Sequence, residues 1–319
     1  MIKSRSPIFR FLVIASVLLC VVSSAKAQDK VALGLHLRAG QTFDTGYVME
    51  TETAETFQEK HIAITMLMRF GMHNEVLNVD DAGTIKLKTT YESVAFESHM
   101  TDGGKINITV NYDSKKPPKK APAGEEAMTE LVGQSLIMTI SSQGKIVKIE
   151  GMDAIVQKIM AGRKDTVERD LTSKKFKESI GDRGKFTSNM VFFPELPVAI
   201  GDSWKFQSEF SSFLISDQYT LMSLQNGIAT LAVRSNLNTD PKSSSFEDSG
   251  ISMNFKGTRN GVMRVDERTG LTQSSELHQS MAGNWSISSP ENAPGKREKM
   301  IIPVKMKSTM RGWIVQLPQ

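Results

Sequence analysis

Through most of this chain, apolar side chains return at every second position, and that period limits what it can fold into. Phe43, Thr45, Tyr47 and Met49 form one such run, and Ile62, Ile64, Met66, Met68 and Phe70 another. Ile85, Leu87, Thr89 and Tyr91 repeat the pattern, as do Leu136, Met138 and Ile140, and later Ala229, Leu231 and Val233. Side chains alternate across a strand, so each run marks one half-buried face. Polar turns separate the runs: Asp80–Gly83, Ser141–Gly144, Gln225–Gly227 and Asp266–Gly270. Each ends in glycine, which takes positive φ without penalty and closes a hairpin. The expected fold is mainly β, a curved, half-barrel-like antiparallel sheet.

One region departs from this period. From Met152 to Ile180 the apolar residues fall at helical spacing, with Met152, Ile155, Val156, Ile159 and Met160 as one stripe and Leu171, Phe176 and Ile180 as a weaker second. Asp153 and Asp165 suit helix N-termini, where a carboxylate meets unpaired N–H groups, and Gly162 suits a stop. Two short helices are expected, followed by a proline-punctuated crossing segment, Met190–Pro197. Two polar stretches, 113–126 and 238–250, lack the apolar content to pack and read as loops.

The first thirty residues have another character. Lys3, Arg5 and Arg10 precede the uncharged apolar run Phe11–Val22, and Ala25-Lys26-Ala27 supplies an A-x-A site. This is the three-part pattern of a secretory signal peptide, with cleavage expected after Ala27. The run is shorter than the roughly 20 residues that span a bilayer. Cys20, the one cysteine, lies within it, so the mature chain would have no disulfide, thiolate or cysteine ligand. Four of the 39 basic residues fall in the leader and none of the 35 acidic ones, so the remainder is charge-balanced. Nothing in that balance favours nucleic acid or an anionic membrane. A secreted or periplasmic location is expected, with no transmembrane span in the mature chain.

Leu37-Arg38-Ala39-Gly40-Gln41-Thr42-Phe43 matches Val198-Ala199-Ile200-Gly201-Asp202-Ser203-Trp204. Both read apolar, two residues, Gly, one residue, hydroxyl, aromatic. Gly40, Phe43, Gly201, Asp202 and Trp204 are therefore marked as strand-start and turn residues. A hairpin closing at Gly83 or Gly227 follows in each half, then one closing at Gly144 or Gly270. A tandem duplication of a β-meander explains the shared order. The alternative is that any meander repeats glycine turns. The expected organisation is a leader at 1–27, a first antiparallel β unit at 28–151, a helical insert at 152–189 and a second β unit at 190–319, the two units packed as one domain.

The leader, LRAGQTF, YDSKKP before a long loop, GQSLIMTISSQGKIVKIEG, the helical insert and FPELPVAIGDSW together resemble a family of secreted bacterial proteins known only as a domain of unknown function. The resemblance covers nearly the whole mature chain. Its motifs are turn and strand-start residues, so it implies a fold and carries no site residues. In outline, a curved antiparallel sheet with a helical insert is also similar to the half-barrel lipoprotein carriers of the bacterial envelope.

Motifs for catalysis fail on inspection. His36, His61, His73, His99 and His278 show no H-E-x-x-H spacing. Met66 and Met68 could offer thioethers to copper(I), with Met72-His73 nearby, but they share a face with Ile62, Ile64 and Phe70, which reads as core. Ser142–Lys145 matches S-x-x-K but falls on a hairpin tip rather than a helix start. Gly181–Lys185 lacks the spacing of a phosphate loop. Trp204 reads as a core plug. No cofactor, metal or catalytic residue is expected.

Three function classes follow. The first is a non-catalytic envelope protein binding an apolar or lipid-like ligand, which the seventeen methionines after Met1 would suit as a pliable apolar lining. The second is a structural or protein-interaction module of the envelope, displaying its loops. The third, a hydrolase, would need a site assembled only by folding. A deep apolar pocket, a filled core and a polar cleft distinguish them in that order.

Overall fold

The glycine-ended turns do close hairpins. In the computed structural model, which describes residues 30–117, 130–161, 191–210, 212–240, 251–288 and 299–315, Gly83, Gly144, Gly227 and Gly270 all have φ between 73° and 83°. Asn226 beside Gly227 has φ 53°, so this pair supplies the two positive-φ residues of a type I′ turn.

The described residues form twelve strands: β1 (Thr42–Phe57), β2 (Lys60–Val79), β3 (Ile85–Thr101), β4 (Asn107–Asp113), β5 (Ser135–Ile140), β6 (Ile146–Glu150), β7 (Ser203–Phe210), β8 (Phe213–Gln225), β9 (Ile228–Thr239), β10 (Ile251–Asp266), β11 (Thr272–Ser288) and β12 (Lys299–Ile314). They form one antiparallel sheet in the order β6-β5-β3-β2-β1-β12-β11-β10-β9-β8-β7, curved and not closed into a barrel. β3 serves two neighbours on one edge, pairing β5 through Ile85–Thr90 and β4 through Ala95–Thr101. Among the described residues one helix, α1 (Met152–Ala161), follows β6. It buries Ile155 and Val156 with Leu136, Tyr91 and Val94, as the helical stripe requires. The expected second helix and Gly162 lie outside the described residues, as do Ala25, Ala27 and most of both polar loops.

The matched openings fold alike. Gly40 N donates to Val76 O and Val76 N to Gln41 O, and in the second half Gly201 N donates to Leu221 O and Leu221 N to Asp202 O. The Gln41 and Asp202 side chains play one role: Oε1 of the first accepts from Arg38 N at 2.7 Å and Oδ2 of the second from Ala199 N at 2.9 Å. A register shift follows Val76 in β2 and Leu221 in β8, the equivalent residues. Thus β1-β2-β3-β5-β6 and β7-β8-β9-β10-β11 are two turns of one meander, the first lengthened by β4, and β12 joins them.

Two irregular segments cap one end of the curved sheet. Residues 31–37 run between the hairpin tips of the two halves: Leu35 N donates to Ser142 O and His36 N to Thr269 O. Residues 191–198 reach from one sheet edge to the other. Phe193 N donates to Gln143 O beside β6, while Phe192 O accepts from Trp204 Nε1 on β7 at 2.6 Å. Leu33, Leu35, Leu37, Val191, Phe192 and Phe193 are all buried in the main core cluster, with Val76, Ile85, Leu221 and Leu231.

Candidate ligand-binding cavity

Because the sheet curves and its inward residues are apolar, the strands and the cap enclose space. A cavity of about 700 Å³ lies on the concave face, within the roughly 300–1,000 Å³ of small-molecule sites. Phe43, Tyr47, Phe70, Leu87 and Tyr91 line the side made by the first half, and Phe213, Ile215, Leu237, Phe255 and Trp285 that of the second. Leu35, Phe192 and Phe193 close it from the cap, and Met152 and Ile155 of α1 reach it. Met49, Met68, Met72, Met281, Met306 and Met310 stand along the walls. Thioether chains have no branch and repack easily, so such a wall can adapt to an occupant.

The strand-start residues marked by the sequence all lie at the capped end. Gly40 and Gly201 have φ of 83° and 94°. Phe43 is buried and lines the cavity. Trp204 stacks on Tyr219 with ring centroids 5.7 Å apart, packed against the main core. These residues shape the site without supplying chemistry to it. Met68 lines the cavity among apolar neighbours, and half-buried Met66 lies opposite Thr51. The histidines do not converge. His73 Nδ1 is 2.6 Å from Asp44 Oδ1, His61 meets Thr56, His99 meets Thr109, and His278 lies beside Glu276. Among the described residues no three His, Cys, Asp or Glu side chains gather as a metal set would need.

A polar row, invisible in the alternation, crosses the concave face. By strand register, Asp217 on β8 stands opposite Ser235 on β9, which stands opposite Arg259 on β10. Arg259 is opposite Gln279 on β11, Gln279 opposite Ser308 on β12, and Ser308 opposite Thr51 on β1. Five of the six are buried and Gln279 is half-buried. Asp217, Arg259 and Gln279 line the cavity. The guanidinium donates from Nη2 to Asp217 Oδ1 at 2.9 Å and from Nε to Ser235 Oγ at 3.2 Å. Asp217 is 2 % exposed and Arg259 8 %, so the ion pair is withdrawn from water. Removing one partner of such a pair costs about 3–5 kcal/mol, because the other charge is left buried alone. Thr51 and Ser308 bond each other at 3.1 Å. Gln279 Nε2 donates to Met281 Sδ at 3.1 Å, a weak acceptor.

Two further features mark the concave face. Ser275 Oγ lines the cavity, buried, without a hydrogen-bond partner among the described residues. Burial also disfavours charge on the tyrosines. It pushes Tyr91 up to about 12. It raises Tyr219 further, aided by the neighbouring Asp217 carboxylate. Both phenols are therefore neutral at ordinary pH and serve as packing groups.

The convex face is different. Arg311 on β12 donates to Glu50 on β1 at 3.0 Å and to Glu276 on β11 at 3.3 Å, and these bonds raise its already high pKa. Arg69 and Glu97 pair at 2.8 Å across β2 and β3. Charge on the outside and hydrocarbon on the inside make the sheet a shell around the cavity.

A family model spans residues 82–272, from the first Gly-ended turn to the start of β11. The chain belongs to this family, a family of unknown function, DUF6263. No curated protein matches the DUF6263 chain in sequence. Among solved structures it is similar to a lipovitellin chain described for its lipid–protein interactions, at 8 % identity and a TM-score of 0.46. That match covers 89 % of this chain and 26 % of the other, so the DUF6263 chain spans about a quarter of the lipovitellin chain. The translocator domain of the autotransporter NalP from Neisseria meningitidis matches at 6 % identity and a TM-score of 0.22, covering 96 % of each chain. OccK7 of Pseudomonas aeruginosa matches at 7 % identity and a TM-score of 0.25, covering 88 % of this chain and all of its own.

Proposed function

We propose that this protein is a non-catalytic binding protein of the cell envelope, exported through its leader, that holds an apolar or lipid-like ligand in the concave cavity. The observation that carries this reading is the cavity of about 700 Å³ with hydrocarbon walls, capped at one end by residues 31–37 and 191–198. A core that served stability alone would be filled to crystal-like density. The charged convex face supports a shell that works in water. A bilayer-spanning barrel turns an apolar band outward, whereas the central strands here turn Glu50, Glu52, Glu276, Lys305 and Lys307 outward to solvent.

The test is to express the chain with its leader, purify it without detergent and compare native with denatured mass spectra. The expected result is a mass excess in the native spectrum that extracts into organic solvent. A bare protein mass, together with no uptake of an added neutral apolar dye, would sink the reading and turn attention to protein partners.

A further inference from the structure

The polar row lies at mid-cavity, with hydrocarbon on either side of it. Two residues towards the cap on β8, β9, β11 and β12 stand Tyr219, Val233, Leu277 and Met310 of the main core cluster, while on β10 Gly257 and Gly261 flank Arg259 and leave room beside it. Two residues the other way on the same four strands stand Ile215, Leu237, Met281 and Met306, of a separate apolar cluster. An occupant running along the strands would therefore meet apolar wall, polar row and apolar wall in turn. From the charge and hydrogen bonding of that row, we infer that the ligand is a neutral lipid with an internal ester or amide, hydrocarbon on both sides and its carbonyl held at Arg259 and Gln279.

Hydrogen-bond capacity favours this ligand first. A guanidinium has five N–H donors, and among the described residues only Nε and one Nη2 hydrogen are engaged. Gln279 gives one amide N–H to a sulfur, a weak acceptor, and has a second. The row thus offers donors that need an acceptor, and an ester or amide carbonyl brings one. Charge then selects against an anion. Asp217 and Arg259 are the only charged residues lining the cavity among those described, and they cancel. A carboxylate arriving there would leave one uncompensated negative charge in a low-dielectric site, which is strongly disfavoured. A plain hydrocarbon would leave the donors unsatisfied.

The inference rests on the apolar-ligand reading, and three probes of sixteen carbons separate the two. Hexyl decanoate, palmitate and hexadecane, delivered from cyclodextrin, compete with bound Nile red on the purified protein. Hexyl decanoate is expected to displace the dye at a concentration about 10-fold below the other two, the scale of one hydrogen bond to a charged donor. Asp217→Asn keeps the shape but frees the positive charge, so palmitate should become the strongest competitor. The double variant Asp217→Leu, Arg259→Met removes the charges together, and its ester preference should fall towards unity while hexadecane still binds. If Asp217→Asn fails to melt cooperatively, the charge-balanced double variant decides alone. Equal competition by all three probes, palmitate preference in the wild type, or an ester preference that survives the double variant would overturn the inference and leave the apolar-ligand reading standing. No dye uptake and no competition would remove both.

Discussion

Single residues at the cavity and the turns carry tests that involve no ligand. Ser275 Oγ is a buried hydroxyl with no partner among the described residues, and such a group costs about 1–3 kcal/mol. Ser275→Ala is expected to raise the stability of the ligand-free protein by about 1 kcal/mol, read as a higher denaturant midpoint at unchanged slope. Asp80 gives a pH test. The backbone N–H of Thr84, followed by that of Ala82, holds its carboxyl below the usual aspartate value. A carboxyl depressed in the folded state contributes stability above its unfolded pKa and loses it as pH falls through the folded one. Asp80→Ala should therefore lower the melting temperature at pH 7, and the gap from wild type should close in acid below the model-peptide value of 3.8. A gap that is constant with pH would assign the loss to the turn's shape alone.

Elements here are set by turn chemistry, and two glycines with the same φ sign separate its parts. At Gly227 a Cβ would meet open space, whereas at Gly144 it would come within 2.3 Å of Val191 O in the cap. Gly227→Ala should cost about 1–2 kcal/mol, the left-handed penalty alone. Gly144→Ala should cost clearly more and should also loosen the cap, which chemical denaturation and dye uptake would report. Turns and strands were legible in sequence for this reason: glycine positions and period-two runs are local, and both appear where the residues placed them. The matching openings were legible too, down to Gly40 and Gly201. What the sequence hid is lateral. Asp217, Ser235, Arg259, Gln279, Ser308 and Thr51 lie on six strands, and only register aligns them, so no motif in the chain announces the row. Asp202 was marked as a turn residue but Gln41 was passed over, because one is a carboxylate and the other an amide, although both turn back to cap the same bend.

At the scale of the whole molecule the cavity is a product of topology. The cap exists because residues 31–37 and 191–198, read respectively as part of a β unit and as a crossing segment, pair across at Val31 and Val198 and span both hairpin tips. Its hydrocarbon was readable, as Leu33, Leu35 and Leu37 and again as Phe192 and Phe193; its position over the concave face was not. Phe192 stacks on Phe206 of β7 at 3.6 Å, and Phe192→Ala should cost about 3–5 kcal/mol, measured by equilibrium denaturation. The place of β12 has a consequence in time. It joins the two halves by pairing β1 on one side and β11 on the other, and its bond from Ser308 to Thr51 spans 257 positions of sequence. Contacts that distant close slowly, because the loop between them must first give up its freedom. In a chain that emerges N-terminus first, β1 is available long before β12, so β1 has only β2 to pair with until the rest arrives, and its other edge stays open to wrong partners. The last described strand is therefore the one on which assembly of the sheet waits.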